Sequence, residues 1–187
     1  FILAQLIKKI FFLSKYFGYL VAFKIKLIYN MSIYRPQGKN RNKGVIPMVN
    51  LLTGQKGSGK TQQMIEAANL KAKECDGNVV FIKNSHSDTY SVSFDIRAIC
   101  MADYPSIRNI DEYTGFLYGM ISGNSDIQVI FIDGILKQSS VPLEDMARFV
   151  DRLDNISKRH NVEFFVSISA SKEELADVNP EKSNFLN

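Results

Sequence analysis

Eight consecutive residues, Gly54-Gln55-Lys56-Gly57-Ser58-Gly59-Lys60-Thr61, combine three glycines, two lysines and two hydroxyls. They match the pattern Gly-x-x-x-x-Gly-Lys-Ser/Thr in full. Each residue type has a physical reason to be there. The glycines let the backbone wrap closely around a polyphosphate. The N–H groups of Gly57 to Thr61 are expected to point inward, and a helix starting at Lys60 adds its positive end. Lys60 is placed to reach the β- and γ-phosphates as a point charge. The Thr61 hydroxyl is placed to bind Mg2+.

A second element carries the complementary chemistry. Val129-Ile130-Phe131-Ile132 is a continuous apolar run that ends in Asp133. An acid at the carboxyl end of a buried strand near the phosphate loop can hold Mg2+ through a water. Ser167 and Ser169 alternate with Val166 and Ile168 near the C-terminus of the chain. Either hydroxyl could sense a γ-phosphate, or both could be ordinary strand-end polarity.

Together the loop and the Asp133 run resemble the Walker A and Walker B motifs of the P-loop NTPase superfamily, over residues 48–170. Within it the chain resembles small bacterial ATP-binding proteins of the RecA/thymidine-kinase-like branch, some of which carry a twitching-motility ATPase label. The resemblance implies ATP and Mg2+ as ligands, with Gly54 to Thr61 cradling the nucleotide. It further implies Thr61 and Asp133 at the metal, and Lys60 and Asp133 in any catalysis. The Asn/Thr-Lys-x-Asp and Asp-x-x-Gly motifs of Ras-type GTPases are absent, which favours adenine. So are the Leu-Ser-Gly-Gly-Gln signature of transporter cassettes and the zinc cysteines of thymidine-kinase-like enzymes.

Hydrolytic relatives polarise the attacking water with a glutamate near the Walker B acid. Here Asp133 is followed by Gly134. Glu144 and Glu66 are the available candidates, and Glu144 is better read as a helix partner of Arg148. The expectation is therefore ATP binding with slow hydrolysis, used as a switch that alters the polar segments 84–106 and 134–141 near the γ-phosphate. A small nucleoside or nucleotide kinase is the alternative, as is an interaction module that retains the loop. Arg148 and Arg152 could serve as arginine fingers in a homo-oligomer or pair with Glu144, Asp145 or Asp151. Arg97 has no assigned role.

The elements that must position these residues follow from pattern. Met48–Thr53 is a short apolar run, read as a strand. Residues 60–75 read as a helix with Met64, Ala67, Ala68 and Ala72 on its inner face. Val79–Ile82 and Val162–Ser169 read as further strands, with a short one at Ile96–Met101. Asn109-x-x-Glu112 and Ser171-x-x-Glu174 are capping boxes. Pro142 suits the first turn of a helix running to His160, with Met146, Phe149, Val150 and Leu153 inward. Continuously apolar strands alternating with helices imply an α/β, three-layer, doubly wound sheet. Four to five mostly parallel strands are expected. Residues 179–187 read as a tail.

The 187 residues carry 23 basic and 19 acidic side chains, but unevenly. Residues 1–47 hold nine Lys or Arg and no acid, so residues 48–187 hold 14 basic and 19 acidic residues. The mildly acidic second part argues against nucleic acid as a partner. The first 30 residues are apolar and aromatic with scattered lysines. Two readings stay open: a basic amphipathic or disordered segment at a membrane surface, or untranslated DNA read in frame. Lys43-Gly44-Val45 can be encoded by a string that contains a bacterial ribosome-binding sequence just before Met48, which favours the latter. Domains are thus expected at 1–47, 48–178 and 179–187. Two cysteines, Cys75 and Cys100, form no CxxC, and His86 and His160 lie near neither in sequence. Two reduced thiols in a cytoplasmic protein, without zinc, are expected.

Overall fold

A computed structural model describes residues 49–86, 91–138 and 141–186. The expectations for residues 1–47 and for Met48 lie outside these residues. Strands β1 (Val49–Thr53), β2 (Asn78–Lys83), β3 (Ile96–Cys100), β4 (Ile127–Ile132), β5 (Glu163–Ile168) and β6 (Asn184–Phe185) form one sheet. Its order is β3-β2-β4-β5-β1-β6, and every pairing is parallel. Helices α1 (Lys60–Glu74), α2 (Ile110–Gly123) and α3 (Met146–His160) provide the crossovers.

The strands are apolar because both faces are covered. All five residues of β1 and all six of β5 are buried. One face carries a ladder of rings: Phe81 pairs with Phe131 in register, and Phe131 with Phe165. The Phe131 and Phe165 rings stack at 4.6 Å. Helix α1 lies on this face, and its Lys71 ammonium sits 5.5 Å from the Phe165 ring centroid. The opposite face presents Leu51, Val80, Ile82, Ile130, Ile132, Phe164 and Val166 to Tyr113 and Leu117 of α2 and to Phe149, Leu153 and Ile156 of α3. The result is a three-layer α/β domain, the architecture expected of a P-loop NTPase-like fold.

The sheet has six strands rather than four to five. The extra one is β6, from the segment read as a tail. Asn184 and Phe185 pair with Asn50 and Leu51, and Leu186 N–H donates to the Leu51 carbonyl at 3.0 Å. A two-residue strand has no periodicity of its own; the free edge of β1 dictates it.

The inner face of α1 also differs from the pattern. Lys71 is buried there with Met64, Ile65, Ala67 and Ala68, while Ala72 is only half-buried. Lys71 Nζ donates to Glu163 Oε2 at 2.6 Å, and Asn50 Nδ2 donates to Glu163 Oε1 at 3.1 Å. A lysine on the apolar stripe is tolerated because its stem covers the sheet and its head meets a carboxylate. Cys75, next to this pair, is half-buried, and burial pushes its thiol up from the ordinary value.

The Ser171–Glu174 box forms in full, whereas at Asn109 only the side-chain half forms and the Glu112 carboxylate takes the Arg108 N–H instead. Asn109 Oδ1 accepts from Glu112 N–H at 2.9 Å and starts α2. Ser171 and Glu174 exchange side-chain to backbone bonds and open a single 3-10 turn, Glu173–Leu175. Replacing Asn109 by alanine should cost about 1 kcal/mol of stability, read as a lower denaturant midpoint with an unchanged slope. Pro142 precedes a 3-10 turn, Leu143–Asp145, and α3 begins only at Met146. Among the described residues, no helix is long and apolar enough to cross a membrane.

Candidate functional site

The loop between β1 and α1 is anchored at its base, where Gly54 N–H donates to the Ala170 carbonyl at 2.9 Å. Gly57 and Gly59 adopt φ of 87° and 81°. A Cβ would be strained there, and around both positions the space is open. That combination fits a backbone which a ligand approaches closely. Lys60 Nζ folds back over the loop, donating to the carbonyls of Gly54 at 2.7 Å and Gln55 at 2.9 Å. It also donates to Ser58 Oγ at 3.3 Å. Lys56 is exposed at the rim.

Gly59 caps α1 in the left-handed region, no side chain caps the helix, and its first turn holds no acid. The first-turn N–H groups are therefore not taken by a side-chain cap, unlike those of α2. Such an end attracts anions.

Asp133 lies one residue beyond β4, and β5 separates β4 from β1. The carboxylate nevertheless reaches the loop. Thr61 Oγ1 donates to Asp133 Oδ2 at 2.9 Å. Ser167, on the intervening strand β5, donates through Oγ to Asp133 Oδ1 at 2.6 Å and accepts from Gly134 N–H at 2.7 Å. Ser167 therefore fixes the orientation of Asp133, a geometry that the alternation on β5 only hinted at. Ser169 lines the same cleft.

The cleft holds about 460 Å³ and is walled by the loop, Asp133, Ser167, Ser169, Ser91 and Lys137. A smaller cavity of about 130 Å³ adjoins it, lined by Lys83, Asn84, Ser85 and Lys137 together with Thr61 and Asp133. Among the described residues lining either space, Asp133 is the sole carboxylate. Glu66 accepts from Gln62 Nε2 on the exposed side of α1. Neither Glu66 nor Glu144 lines the cleft. Arg148 and Arg152 both bind Asp111 on an exposed surface, with Nη2 to carboxylate distances of 3.0 and 3.1 Å. The partner is thus Asp111 of α2, not Glu144, Asp145 or Asp151; Asp151 pairs with Lys182.

Lys60 itself is electrostatically poised. Burial lowers its pKa from 10.5, the Lys137 charge lowers it further, and Asp133 opposes both. An anion bound between the two lysines would relieve the repulsion.

Asn84, Ser85, Lys137 and Gln138 lie in the two polar segments expected near the γ-phosphate but are not singled out by the sequence, and Lys83 and Tyr113 are not legible there as site residues. A 3-10 turn at Ile135–Lys137 follows Gly134 and turns Lys137 back to the cleft. Gln138 is fully buried. Its Nε2 donates to the Asp133 carbonyl, and its Oε1 accepts from Tyr113 OH at 2.7 Å. Burial pushes the Tyr113 phenol far up, so it stays a donor. The available signal was the polar pair Lys137-Gln138 so soon after a buried strand.

No family model matches this chain, and no curated protein matches it in sequence. Among solved structures it is similar to PCH-2 from C. elegans, with 14% identity and a TM-score of 0.41. The match covers 92% of this chain and 41% of that one. The chain thus spans well under half the length of that protein.

Proposed function

We propose that this chain binds Mg2+-ATP in the cleft, hydrolyses it slowly, and uses the bound nucleotide as a switch. One observation carries the reading. Thr61 at the start of α1 and Asp133 after β4 are 72 residues apart, yet they meet at 2.9 Å beside Lys60. A hydroxyl and a carboxylate in direct contact, next to an uncapped helix end, are the donor set that Mg2+ and phosphate oxygens require. When bound, the metal supplies charge neutralisation between the β- and γ-phosphates. Thr61 and Asp133 would hold it. Gly54, Gln55, Lys56, Gly57, Ser58, Gly59 and Lys60 would wrap the phosphate chain, with Lys60 exchanging its loop carbonyls for phosphate oxygens. Segments 84–86 and 134–138 border the γ-phosphate end and are the parts a switch would move.

The lining supports slow hydrolysis. Among the described lining residues Asp133 is the one carboxylate, so none of the others offers a second acid to orient a water. Steady-state turnover should fall well below the roughly 10 per second of a typical enzyme. Asp133→Asn keeps the shape but removes the negative charge and turns one acceptor oxygen into an NH2 donor. ATP affinity measured with Mg2+ should drop at least about tenfold, as expected for loss of a charge-assisted contact. Affinity measured in EDTA should barely change. Equal losses in both conditions would contradict the metal role.

The adjoining 130 Å³ cavity favours one second reading, phosphate transfer to a small acceptor. Its Lys83 and Lys137 supply the basic residues such a transfer needs near the γ-phosphate. Labelled phosphate appearing on a nucleoside or nucleotide panel would promote that reading over the switch.

A further inference from the structure

Lys83 at the end of β2 pairs in register with Cys100 at the end of β3. The carboxyl ends of these two strands therefore lie side by side at the sheet edge. His86 follows β2 by three residues, and Asp103 ends the 3-10 turn Met101–Asp103 that follows Cys100. This pairing gathers one imidazole, one thiol and one carboxylate whose candidate ligand atoms all lie within 4.8 Å of one another. We propose that His86, Cys100 and Asp103 form a three-ligand site for a borderline-soft divalent cation of the Zn2+ class.

The geometry needs little change. His86 Nε2 and Asp103 Oδ1 are already 2.9 Å apart. Bonds of about 2.0 to 2.3 Å in a tetrahedral zinc centre put ligand atoms somewhat over 3 Å apart, so the His86–Asp103 pair must open slightly while Cys100 Sγ, within 4.8 Å of both, moves in. Cys100 is buried and forms the floor, whereas His86 and Asp103 are exposed and leave an entrance. Cys100 Sγ lies 3.7 Å from the Asn84 carbonyl, which would accept the thiol proton while the site is empty. On binding, the thiol proton goes to solvent and the thiolate takes the metal.

The donor set selects the metal. A sulfur ligand with a ring nitrogen disfavours Mg2+ and Ca2+, which take oxygen, and suits Zn2+. Three protein ligands leave a fourth position open, unlike the closed four-ligand structural centres that the sequence argues against. The ligands are spaced 14 and three residues apart, so only the β2–β3 pairing reveals them. The site is independent of the nucleotide reading. If both hold, the metal would tie down Asn84 and Ser85, which line the small cavity beside Asp133.

The test is titration of the metal-free, reduced full chain with Co2+, followed by absorbance. A thiolate-to-cobalt charge-transfer band should saturate at one equivalent and vanish when Zn2+ is added. Cys100→Ser should abolish the band. His86→Ala and Asp103→Asn should each weaken Zn2+ binding at least about tenfold, while Cys75→Ser should leave it unchanged. Should Cys100→Ser fail to fold, the exposed His86→Ala variant decides alone. No band, a band that survives His86→Ala at full affinity, or one lost in Cys75→Ser would overturn the proposal.

Discussion

Replacing Lys60 by alanine is expected to weaken ATP binding by about a hundredfold, the equivalent of one or two charge-assisted hydrogen bonds at roughly 1.5–3 kcal/mol each. The Lys60 ammonium now rests on two carbonyls and the Ser58 hydroxyl. Those acceptors are neutral, and a phosphate is not. Burial and Lys137 both disfavour the lysine charge, so the exchange from carbonyl to phosphate gains more than it would on an open surface. The same substitution should leave the fold intact, because α1 starts on the Gly59 carbonyl, which accepts from Gln63 N–H. Isothermal titration with ATP, beside thermal unfolding of the apo-protein, separates the two effects. An unchanged dissociation constant would remove Lys60 from the site. A large fall in unfolding temperature would reassign it to holding the loop.

The largest stability effect should come from the far side of the same helix. Lys71 and Glu163 are 5% and 8% exposed, and their charges meet at 2.6 Å. Removing one partner of such a pair leaves an uncompensated buried charge, at a cost of about 3–5 kcal/mol. Lys71→Met should therefore be severely destabilising near neutral pH. Lys71→Met combined with Glu163→Leu should recover most of the loss, since a well-packed apolar pair can match a buried ion pair. The pH dependence has a definite sign. Burial raises the Glu163 carboxyl above 4.5, outweighing the charge of Lys71 and the hydrogen bonds from Lys71 and Asn50. The native state then holds this proton more tightly than the unfolded chain, so stability falls as pH rises from about 4.5 through the raised folded value. Without Lys71 that value rises further. The single variant should thus lose more stability across neutral pH than the wild type, and the double variant should lose the dependence. Urea unfolding at a series of pH values reads all three. A Lys71→Met variant as stable as wild type at pH 7 would show that the pair contributes nothing.

The legible parts of this chain were those in which local pattern and tertiary need coincide. The β1 run, the glycine loop and the β4 run ending in Asp133 all announce themselves, because burial on both faces dictates continuous apolar runs and the positive φ at Gly57 and Gly59 favours glycine. Met146, Phe149, Val150 and Leu153 were legible for the same reason, and each is at most 1% exposed. What stayed hidden depends on pairing between distant segments. Phe185 becomes a strand residue only because β1 has a free edge. Lys71 reads as a surface residue until β5 brings Glu163 beneath it. Ser167 reads either as a γ-phosphate sensor or as strand-end polarity until β5 is seen to lie between β4 and β1, where its hydroxyl donates to Asp133. His86 and Cys100 are 14 residues apart in sequence, and only the register of β2 against β3 joins them. Arg148 and Arg152 carried a helix-face signal, but the acid they meet, Asp111, stands on the neighbouring helix.

The central claim is that the loop from Gly54 to Thr61 holds a phosphate chain, so that recognition lies in the phosphates. The most direct measurement compares ATP with adenosine by equilibrium titration of the full chain in Mg2+. ATP should bind at one site at least about a hundredfold more tightly than adenosine, given the several charge-assisted contacts the phosphates gain. Adenosine binding as tightly as ATP, or no saturable ATP binding at millimolar concentration, would contradict it.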